Sequence, residues 1–305
     1  MKIYDLIILG AGPAGITAAV YAARKKMDFL VLSLDMGGQT AWSGDIENYT
    51  GYQFITGPEL TSKFEEHAKA FSAPINIPEE ARDIKKENDL IKVITDKNEY
   101  VSKTVIIATG KRPRMLNVPG EKEFKNKGVT YCATCDAPLF KGKKVAVIGG
   151  GNSALDAASQ LTKISPKIYM INIAAQLTGD PVMVENVEKS NNIEVLNNSK
   201  VKAISGDKFV NSITIEKKGE ILNLDVEGIF VEIGLMPNSE FDKITKHNDY
   251  GEIIIDNRNS TNIEGVFAAG DVTNVPEKQI IIASGEGSKA CLSAFRYLLM
   301  HKWSG

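Results

Sequence analysis

The sequence predicts an α/β protein with two domains of one design, the second inserted into the first. Two segments each contain an apolar run, a glycine-rich turn and a helical pattern, and a second apolar run follows in both. The last part of the chain repeats no element of the second segment, so we assign it to the first domain. A chain of 305 residues is long enough for two domains of about 150 residues each.

The first segment begins with an apolar run at residues 3–9, which predicts a buried strand. A glycine turn at residues 10–15 and a helical pattern follow it, and further strands are expected at residues 29–33 and 104–110. Parallel strands joined by a helix form the βαβ unit of a Rossmann-like, dinucleotide-binding domain. An apolar run that leads into a glycine turn favours a strand over a cleavable signal peptide, so we expect a cytoplasmic protein.

The second segment repeats this order with an apolar run at residues 143–148, the glycines Gly149 and Gly151, and strands at residues 167–171 and 228–234. We therefore expect two Rossmann-like domains. The first is made of residues 1–113 and 242–305, and the inserted one of residues 114–241. Each crossing between them contains a proline, so both crossings are expected to act as hinges.

The first glycine turn has the residues that a pyrophosphate-binding turn needs. Gly10 permits a tight turn, Gly12 lets the backbone approach a phosphate, and Gly15 allows close packing of the helix on the strand. The helix N-terminus then offers unpaired N–H groups and the positive end of its dipole. The residue that binds the ribose should end the second strand, where Ser33 and Asp35 are both candidates. A chance glycine turn is the structural alternative.

Two cysteines separated by two residues, Cys132 and Cys135, indicate thiol–disulfide chemistry. Such a pair closes a small disulfide ring reversibly, and a lowered pKa makes one thiol the nucleophile. Asp136 follows directly and is placed to move a proton, although an ordinary helix N-cap is the alternative. The chain has only three cysteines and three scattered histidines, so no second pair completes a zinc site and no metal is expected. The third cysteine, Cys291, lies in a helical pattern and is expected to be buried.

The composition excludes several classes of function. The net charge of −2, with 43% hydrophobic and 24% charged residues, is that of an ordinary globular protein without a nucleic-acid signature. No apolar run reaches the roughly 18 residues that a membrane span needs. We therefore expect neither nucleic acid nor a membrane as a partner.

Several segments carry a resemblance to one family over essentially the whole chain. They are GAGPAG, GGQ, ENY, IIATG, CATCD, VAVIGGGNSA, FVEIGLMPN and GVFAAGDV. On these segments the chain resembles the low-molecular-weight thioredoxin reductases, which are flavin disulfide reductases. The resemblance implies a homodimer with FAD in the first domain and thioredoxin as the electron acceptor. It also implies that Cys135 faces the flavin, that Cys132 attacks the substrate disulfide and that Asp136 is the acid/base.

The resemblance, together with the glycine turn, also assigns the contacts to FAD. Lys278 stands where the family usually has an arginine, so the charge is kept but the fork geometry is lost. The expected FAD-binding residues are Gly10, Gly12, Pro13, Ala14, Gly15, Ser33, Asp35, Gly38, Gln39, Asn48, Thr109, Gly110, Gly270, Asp271, Lys278, Gln279 and Ile280.

The inserted domain departs from the family just after its second strand. NADPH-dependent members have His-Arg-Arg-x-x-x-Arg there to hold the 2′-phosphate, whereas residues 172–178 of this chain contain no cation. Losing two or three charge-assisted hydrogen bonds weakens NADPH binding by roughly 3–9 kcal/mol. NADH needs no such cations, but Asn172 stands where an NAD site usually has an acid. The second glycine turn persists either because a nucleotide binds there or because packing requires it.

The segment 111–144 contains nine basic and three acidic residues around the cysteine pair, which favours an acidic protein partner. A solvated lysine-rich face is the alternative. The resemblance therefore extends to the ferredoxin-dependent flavin thioredoxin reductases, which lack the nicotinamide motifs. We expect a thioredoxin reductase that takes its electrons from reduced ferredoxin. An NADH-dependent disulfide reductase and a non-catalytic flavin redox sensor are the alternatives.

Overall fold

The computed structural model of the chain describes residues 2–43 and 45–301, and it describes only the backbone of Asp45, Thr134 and Cys135. The chain forms two compact units. Unit 1 contains Met1–Arg112 and Met236–Gly305, and unit 2 contains Pro113–Leu235.

The chain returns to unit 1 earlier than the sequence suggests. The amide of Asn238 donates to the carbonyl of Gly110 at 2.9 Å, and the Thr109 hydroxyl donates to the carbonyl of Asn238 at 2.7 Å. The Glu240 carboxylate pairs with Arg112. These polar contacts hold the segment after Leu235 to unit 1. No apolar pattern or turn signal in the sequence predicts these contacts.

Unit 1 is built on a seven-stranded sheet. Its strands are β1 (Ile3–Ala11), β2 (Phe29–Met36), β5 (Ile75–Asn76), β6 (Ala81–Glu87), β7 (Leu90–Thr95), β8 (Glu99–Ile107) and β19 (Val266–Ala268). They lie in the order β5-β2-β1-β8-β7-β6, and β19 pairs with β8. The pairs among β1, β2, β5, β8 and β19 are parallel, whereas β6 and β7 are antiparallel to their neighbours. Two further strands, β3 (Asp45–Ile46) and β4 (Ile55–Thr56), form a short antiparallel pair.

The helices of unit 1 are α1 (Pro13–Arg24), α2 (Gly57–Ala70) and α6 (Ile280–Met300), with a 3-10 helix at Gly38–Trp42. α1 and α6 pack closely because small residues line their contact: a Cβ added to Gly287 would lie 2.0 Å from the carbonyl oxygen of Ala14. Cys291 is fully buried in this core, and burial raises the pKa of its thiol to about 12. The expectation of a buried third cysteine is confirmed.

Unit 2 is built on a parallel sheet and a smaller antiparallel sheet. The parallel strands are β10 (Val129–Thr130), β11 (Val145–Ile148), β12 (Ile168–Ile171), β13 (Ile193–Leu196) and β17 (Gly228–Val231), in the order β10-β17-β11-β12-β13. The antiparallel strands are β14 (Ser199–Gly206), β15 (Val210–Lys217) and β16 (Glu220–Asp225). The helices are α3 (Ala133–Asp136), α4 (Asn152–Thr162) and α5 (Pro181–Glu188), with a 3-10 helix at Ala137–Phe140. The chain crosses between the units at β9 (Lys111–Pro113) and β18 (Leu235–Pro237).

Both units have the parallel strands and connecting helices of a Rossmann-like domain, so the predicted α/β fold is confirmed. Within the described ranges, no helix is both long and apolar enough to cross a bilayer. In unit 2, the carboxyl ends of the parallel strands bring residues from distant parts of the sequence to one edge of the sheet. Those residues are Cys132 after β10, Gly149 after β11, Asn172 after β12 and Glu232 after β17.

Candidate functional site

The glycines of the first turn differ in what surrounds them. Gly10 has a φ of +107°, and an added Cβ would lie 2.3 Å from the carbonyl oxygen of Ala108. A Cβ on Gly15 would lie 1.9 Å from the carbonyl oxygen of Gly10. At Gly12, the nearest atom to an added Cβ is the carbonyl oxygen of Gly37 at 3.8 Å. The turn itself therefore requires Gly10 and Gly15, whereas Gly12 faces open space.

This open space lies at the N-terminus of α1. Gly12 is the N-cap and Pro13 opens the helix, with no capping side chain and no acid in the first turn. The amides of Ala14 and Gly15 have no partner within the helix. Gly38 approaches from another part of the chain, and its added Cβ would lie 3.7 Å from the Cα of Gly12. Glycine backbone and unpaired amides thus frame a cradle that fits the pyrophosphate of FAD.

The two ribose candidates at the end of β2 have different partners. The buried Ser33 hydroxyl accepts from the amide of Ala11 at 3.0 Å and donates to the carbonyl of Asp35 at 2.7 Å. The Asp35 carboxylate accepts from the amide of Gly38 at 3.2 Å. Ser33 therefore holds β1 and β2 together, and Asp35 holds the loop that forms the cradle.

The structure brings four of the predicted FAD contacts into two pairs. The Gln39 amide donates to the Asp271 carboxylate at 3.5 Å, and the Asn48 amide donates to the Gln279 side chain at 3.1 Å. Ile280, the first residue of α6, packs against the small apolar cluster of Ile46, Ile55 and Leu60. These residues are more than two hundred positions apart in several cases, so only the fold unites them.

Gly270 and Gly110 both have the left-handed backbone conformation that favours glycine, with φ of +77° and +64°. A Cβ added to Gly270 would lie 3.1 Å from the Cβ of Ala14, which places the Asp271 loop on the N-terminal turn of α1. Thr109 contacts Asn238 through both its hydroxyl and its carbonyl. All of these predicted positions therefore lie in unit 1.

A partly buried ion triad, which the sequence did not reveal, holds Lys278. The Glu252 carboxylate accepts from Lys111 at 2.7 Å and lies 3.0 Å from the ammonium of Lys278. Burial raises the pKa of Glu252, but hydrogen bonds from Lys111, Asn248 and Lys278 outweigh it and lower the pKa to about 2. Burial also raises the pKa of Asp271, against the opposing effect of the two lysines.

In unit 2, Cys132 is disulfide-bonded. The side chain of Cys135 lies outside the described residues. The Thr130 hydroxyl accepts from the amide of Cys132 at 3.3 Å and donates to the Asp136 carboxylate. Asp136 precedes the 3-10 helix Ala137–Phe140, but its side chain makes no capping hydrogen bond there. The N-cap interpretation of Asp136 therefore has no support, and Thr130 is a partner that the sequence did not reveal.

Glu232 is a second acidic side chain beside the redox motif. Its carboxylate accepts from the amide of Ala133, the residue after Cys132, at 3.2 Å. Burial raises the pKa of Glu232 to about 7, the Ala133 amide lowers it, and the charge of Asp156 raises it again. Glu232 lies in the segment FVEIGLMPN, but the sequence does not reveal its contact, which spans 99 positions.

We expect Glu232→Gln to stabilise the folded chain at alkaline pH. The raised pKa means that the folded chain keeps a proton which the unfolded chain releases between about pH 4.5 and 7, so stability falls as the pH rises through this window. Glutamine keeps the hydrogen-bond acceptor but has no charge to bury. Denaturant unfolding should show a free energy larger by up to roughly 3 kcal/mol above pH 7 and unchanged near pH 4.5. The exposed Glu227→Gln is the control, and equal curves for both variants would contradict the assignment.

The second glycine turn also combines required and open positions. A Cβ on Gly149 would lie 2.3 Å from the carbonyl oxygen of Glu232, and one on Gly150 would lie 2.5 Å from the side chain of Asn172. Around Gly151, the N-cap of α4, no atom lies within 4 Å of an added Cβ, and no side chain caps the helix. Packing therefore explains why residues 149 and 150 are glycines, but it does not explain why Gly151 is a glycine.

Asn172, the candidate ribose position of unit 2, is buried, and it is bonded to its own loop and to the segment after β13. Its amide donates to the carbonyl of Gln176 and to the side chain of Asn197, both at 2.9 Å, and its oxygen accepts from the amide of Ala174 at 3.2 Å. The following segment returns to the glycine turn, where the Thr178 amide donates to the carbonyl of Gly150 at 2.8 Å. Asn172 thus shapes the loop that would contact a nucleotide.

The basic residues of the segment 111–144 are divided between the two units. Lys111 and Arg112 belong to unit 1 and pair there with Glu252 and Glu240. In unit 2, residues 125 and 127 precede β10, and residues 141, 143 and 144 precede β11. The ammonium of Lys125 lies 5.7 Å from the ring centre of Tyr131, the residue before Cys132. Cys132 follows β10 at the carboxyl edge. The expected basic surface at the redox motif stays a prediction.

Comparison with known proteins gives one family for nearly the whole chain. The family model described as "Pyridine nucleotide-disulphide oxidoreductase" matches residues 4–287. The chain is 42% identical over 300 residues to an NADH dehydrogenase of Bacillus subtilis (strain 168), covering 97% of this chain and 59% of that protein. It is 40% identical to an alkyl hydroperoxide reductase component of Escherichia coli (strain K12), with coverage of 98% and 59%. The chain thus spans less than two thirds of these relatives.

Solved structures of similar proteins match over their full length. The thioredoxin reductase of Lactococcus lactis has a TM-score of 0.80 and 36% identity, covering 97% of this chain and 99% of that one. A ferredoxin-flavin thioredoxin reductase of Clostridium acetobutylicum has a TM-score of 0.55 and 31% identity, with coverage of 98% and 99%. The chain therefore belongs to the pyridine nucleotide-disulphide oxidoreductase family, as a thioredoxin reductase-like flavoprotein whose cofactor is FAD.

Proposed function

We propose that this chain reduces the disulfide of a thioredoxin-type protein through FAD and a Cys132–Cys135 dithiol. The observation that carries the proposal is a disulfide-bonded Cys132 that shares the Thr130 hydroxyl with Asp136. The full-length likeness to thioredoxin reductases supports thioredoxin as the acceptor. This chain covers only 59% of the alkyl hydroperoxide reductase relative from Escherichia coli. That relative therefore supports the proposed redox chemistry, but it gives less support to a particular electron acceptor.

Unit 1 is proposed to hold FAD through its cradle. The glycine turn and the N-terminus of α1 would bind the pyrophosphate, and Asp35 is the better ribose candidate because the Ser33 hydroxyl is engaged within the sheet. Bound FAD supplies two-electron storage between an electron donor and the dithiol. The remaining proposed contacts are those of Gly38, Gln39, Asn48, Thr109, Gly110, Gly270, Asp271, Lys278, Gln279 and Ile280.

The dithiol is proposed to act in two exchanges. The Cys132 thiolate attacks one sulfur of the substrate disulfide, which forms a mixed disulfide and releases the other substrate sulfur as a thiolate. The Cys135 thiolate then attacks the Cys132 sulfur, which closes the Cys132–Cys135 disulfide and releases the second substrate thiolate. Asp136 supplies a proton to a departing thiolate. The roles of the two cysteines rest on the family resemblance.

Replacing Asp136 by asparagine should slow thioredoxin reduction by about 10²-fold, because the amide cannot deliver a proton. The amide keeps an acceptor for the Thr130 hydroxyl, so the fold and the FAD content should not change. Steady-state turnover, FAD absorbance and a thermal melt check these points. Asp207→Asn, in an exposed loop of the same unit, is the control. A rate near that of the unmodified chain would exclude Asp136 as the acid/base.

For the electron donor, we propose NADH rather than NADPH. Residues 172–178 have no cation to bind a 2′-phosphate, and relatives named NADH dehydrogenase match 97% of the chain. The open space at Gly151 supports a nucleotide in unit 2, because packing does not require glycine there. Reduced ferredoxin is the second candidate, favoured by the missing cations and by the exposed lysines of unit 2 at residues 122, 125 and 127.

The substitution Gly151→Val separates the two donors. Valine would fill the space at the N-terminus of α4, so reduction of the flavin by NADH should slow by at least about tenfold. Reduction by ferredoxin should not change, because that donor needs no nucleotide site. Anaerobic mixing with NADH, NADPH and reduced ferredoxin in turn, followed by flavin absorbance, measures each rate. If ferredoxin alone is fast, and its rate falls with salt and with charge reversal at Lys125 and Lys127, the second candidate replaces the first.

We also propose that the chain acts as a cytoplasmic homodimer. The resemblance to the low-molecular-weight thioredoxin reductases supports the dimer, and the small number of cysteines supports a reducing compartment. Light scattering of the FAD-loaded chain would test the dimer, and a monomer at micromolar concentration would exclude it.

A further inference from the structure

Glu232 occupies the point where the redox motif and the second glycine turn meet. It follows β17, which lies between β10 and β11 in the sheet. β10 leads into Cys132, and β11 leads into Gly149. The carboxyl ends of three adjacent parallel strands therefore place Glu232 between these two segments.

The backbone of Glu232 is held on one side by β11. Its amide donates to the carbonyl of Ile148 at 2.8 Å, and its own carbonyl oxygen lies where a side chain on Gly149 would have to go. The side chain reaches the other way, to the amide of Ala133 at 3.2 Å. That amide nitrogen is bonded to the carbonyl carbon of Cys132, so the carboxylate lies within a few ångströms of the cysteine backbone.

Two carboxylates lie on the helices next to Glu232: Asp156 on α4, whose charge raises the pKa of Glu232, and Asp136 on α3, which begins at Ala133. Tyr131, which follows β10, donates to Glu121, and Cys132 is disulfide-bonded. β10 and β11 contain no titratable side chain. A carboxylate in this position would repel a thiolate formed at Cys132, and the repulsion is strong because the carboxylate is partly buried.

We propose that Glu232 is a positioning residue of the dithiol, which takes up a proton when the Cys132 disulfide is reduced and releases it when the disulfide forms again. The inference rests on the proposed redox role of Cys132. The disulfide, two electrons, two protons and the Glu232 carboxylate give one thiol, one thiolate and one neutral carboxylic acid. In a test, the electrons come from a dithiol such as dithiothreitol. The total negative charge on Glu232 and the two cysteines then stays constant through the redox cycle.

Electrostatic repulsion between the Glu232 carboxylate and a thiolate explains the proposed uptake of a proton. In the disulfide state the carboxyl is near its midpoint at neutral pH, so either protonation state is accessible. Formation of a thiolate nearby favours the neutral acid, as it does for any pair of coupled anionic groups. The acid can still contact Ala133, through its carbonyl oxygen as acceptor. Protonation of Glu232 therefore removes the repulsion that its carboxylate would exert on a thiolate at Cys132.

The test is the pH dependence of the equilibrium with dithiothreitol, measured on the FAD-loaded chain by quenching and alkylation of thiols. In the unmodified chain, reduction takes up two protons, as many as oxidation of dithiothreitol releases, so the equilibrium constant should stay nearly constant between about pH 7 and 8. Glu232→Gln loses one of these protons, and its constant should change by about tenfold per pH unit in favour of the dithiol. Glu227→Gln, exposed at the other end of β17, should behave as the unmodified chain.

A second measurement needs no variant. Carbon NMR of the unmodified chain labelled at its glutamate carboxyl groups should show one carboxyl that titrates near neutral pH and whose pKa rises when dithiothreitol reduces the disulfide. Equal pH dependence in Glu232→Gln and the unmodified chain, or no glutamate carboxyl that responds to reduction, would overturn the proposal. Neither measurement uses thioredoxin turnover, so a failure to reduce thioredoxin would count against the proposed function alone.

Discussion

Replacing Cys132 by serine is expected to lower the rate of thioredoxin reduction by at least about 10³-fold, because a hydroxyl cannot replace the attacking thiolate. Unit 1 contributes all the proposed contacts to FAD, so the variant should keep its flavin. The change should also leave reduction of the flavin by the donor intact. Turnover with oxidised thioredoxin, FAD absorbance and anaerobic mixing with the donor measure these three properties separately.

The third cysteine supplies the matched control. Cys291 is a buried thiol in the contact between α1 and α6, far from any redox motif in the sequence. Cys291→Ala should therefore keep turnover near that of the unmodified chain while it loses some thermal stability. Rapid turnover by Cys132→Ser, or loss of turnover by Cys291→Ala with its flavin bound, would refute the assignment of the redox pair.

The roles of Cys132 and Cys135 can be told apart by a mixed disulfide. A single-cysteine thioredoxin that carries a thionitrobenzoate group should react with Cys135→Ser, release the coloured thiol and remain linked to the chain. Cys132→Ser should react much more slowly, because the attacking thiol is absent. If the two variants behave in the opposite way, the two roles are exchanged.

The second large effect is expected for Gly12→Val, which should weaken FAD binding by at least about tenfold. The position has a φ of −78°, and no atom lies nearer than 3.8 Å to an added Cβ, so the chain itself tolerates a side chain there. Valine would instead fill the cradle at the N-terminus of α1, where the pyrophosphate must approach the backbone. Flavin absorbance per chain after purification is the measurement.

Gly151→Val is the control for this prediction, because Gly151 is the N-cap of α4 and is equally open. It should keep a full complement of FAD. Far-ultraviolet circular dichroism should show both variants folded. A Gly12→Val chain that retains all its flavin would show that the cradle is not the pyrophosphate site.

Patterns that repeat along the sequence were sufficient to predict the fold. An apolar run, a glycine turn and a helical pattern occurred twice, and each became a parallel βαβ unit with the expected inserted order. The turn requires glycine at Gly10 and Gly15, as its pattern indicates, because a Cβ at either position would overlap backbone atoms. The sequence could not separate Gly12 from them, because the open space around Gly12 exists only once Gly37 and Gly38 are in place.

The polar contacts of the site could not be predicted from the sequence. Glu252 meets Lys111 across 141 positions, and Glu232 meets Ala133 across 99. Neither contact can be predicted from the sequence, although Glu232 lies in the segment FVEIGLMPN, because only the fold determines the neighbours of a glutamate.

The insertion of unit 2 imposes an order on biosynthesis. The ribosome delivers the chain from its N-terminus, and domains fold as they emerge. Unit 2 is complete once Leu235 has emerged, when β19 and α6 do not yet exist. The pairs Gln39–Asp271 and Asn48–Gln279 can form only after that, so a nascent chain stalled before residue 266 holds a finished unit 2 beside an unfinished unit 1. The contacts proposed for Asp271 and Gln279 with FAD therefore become available only after unit 2 is complete.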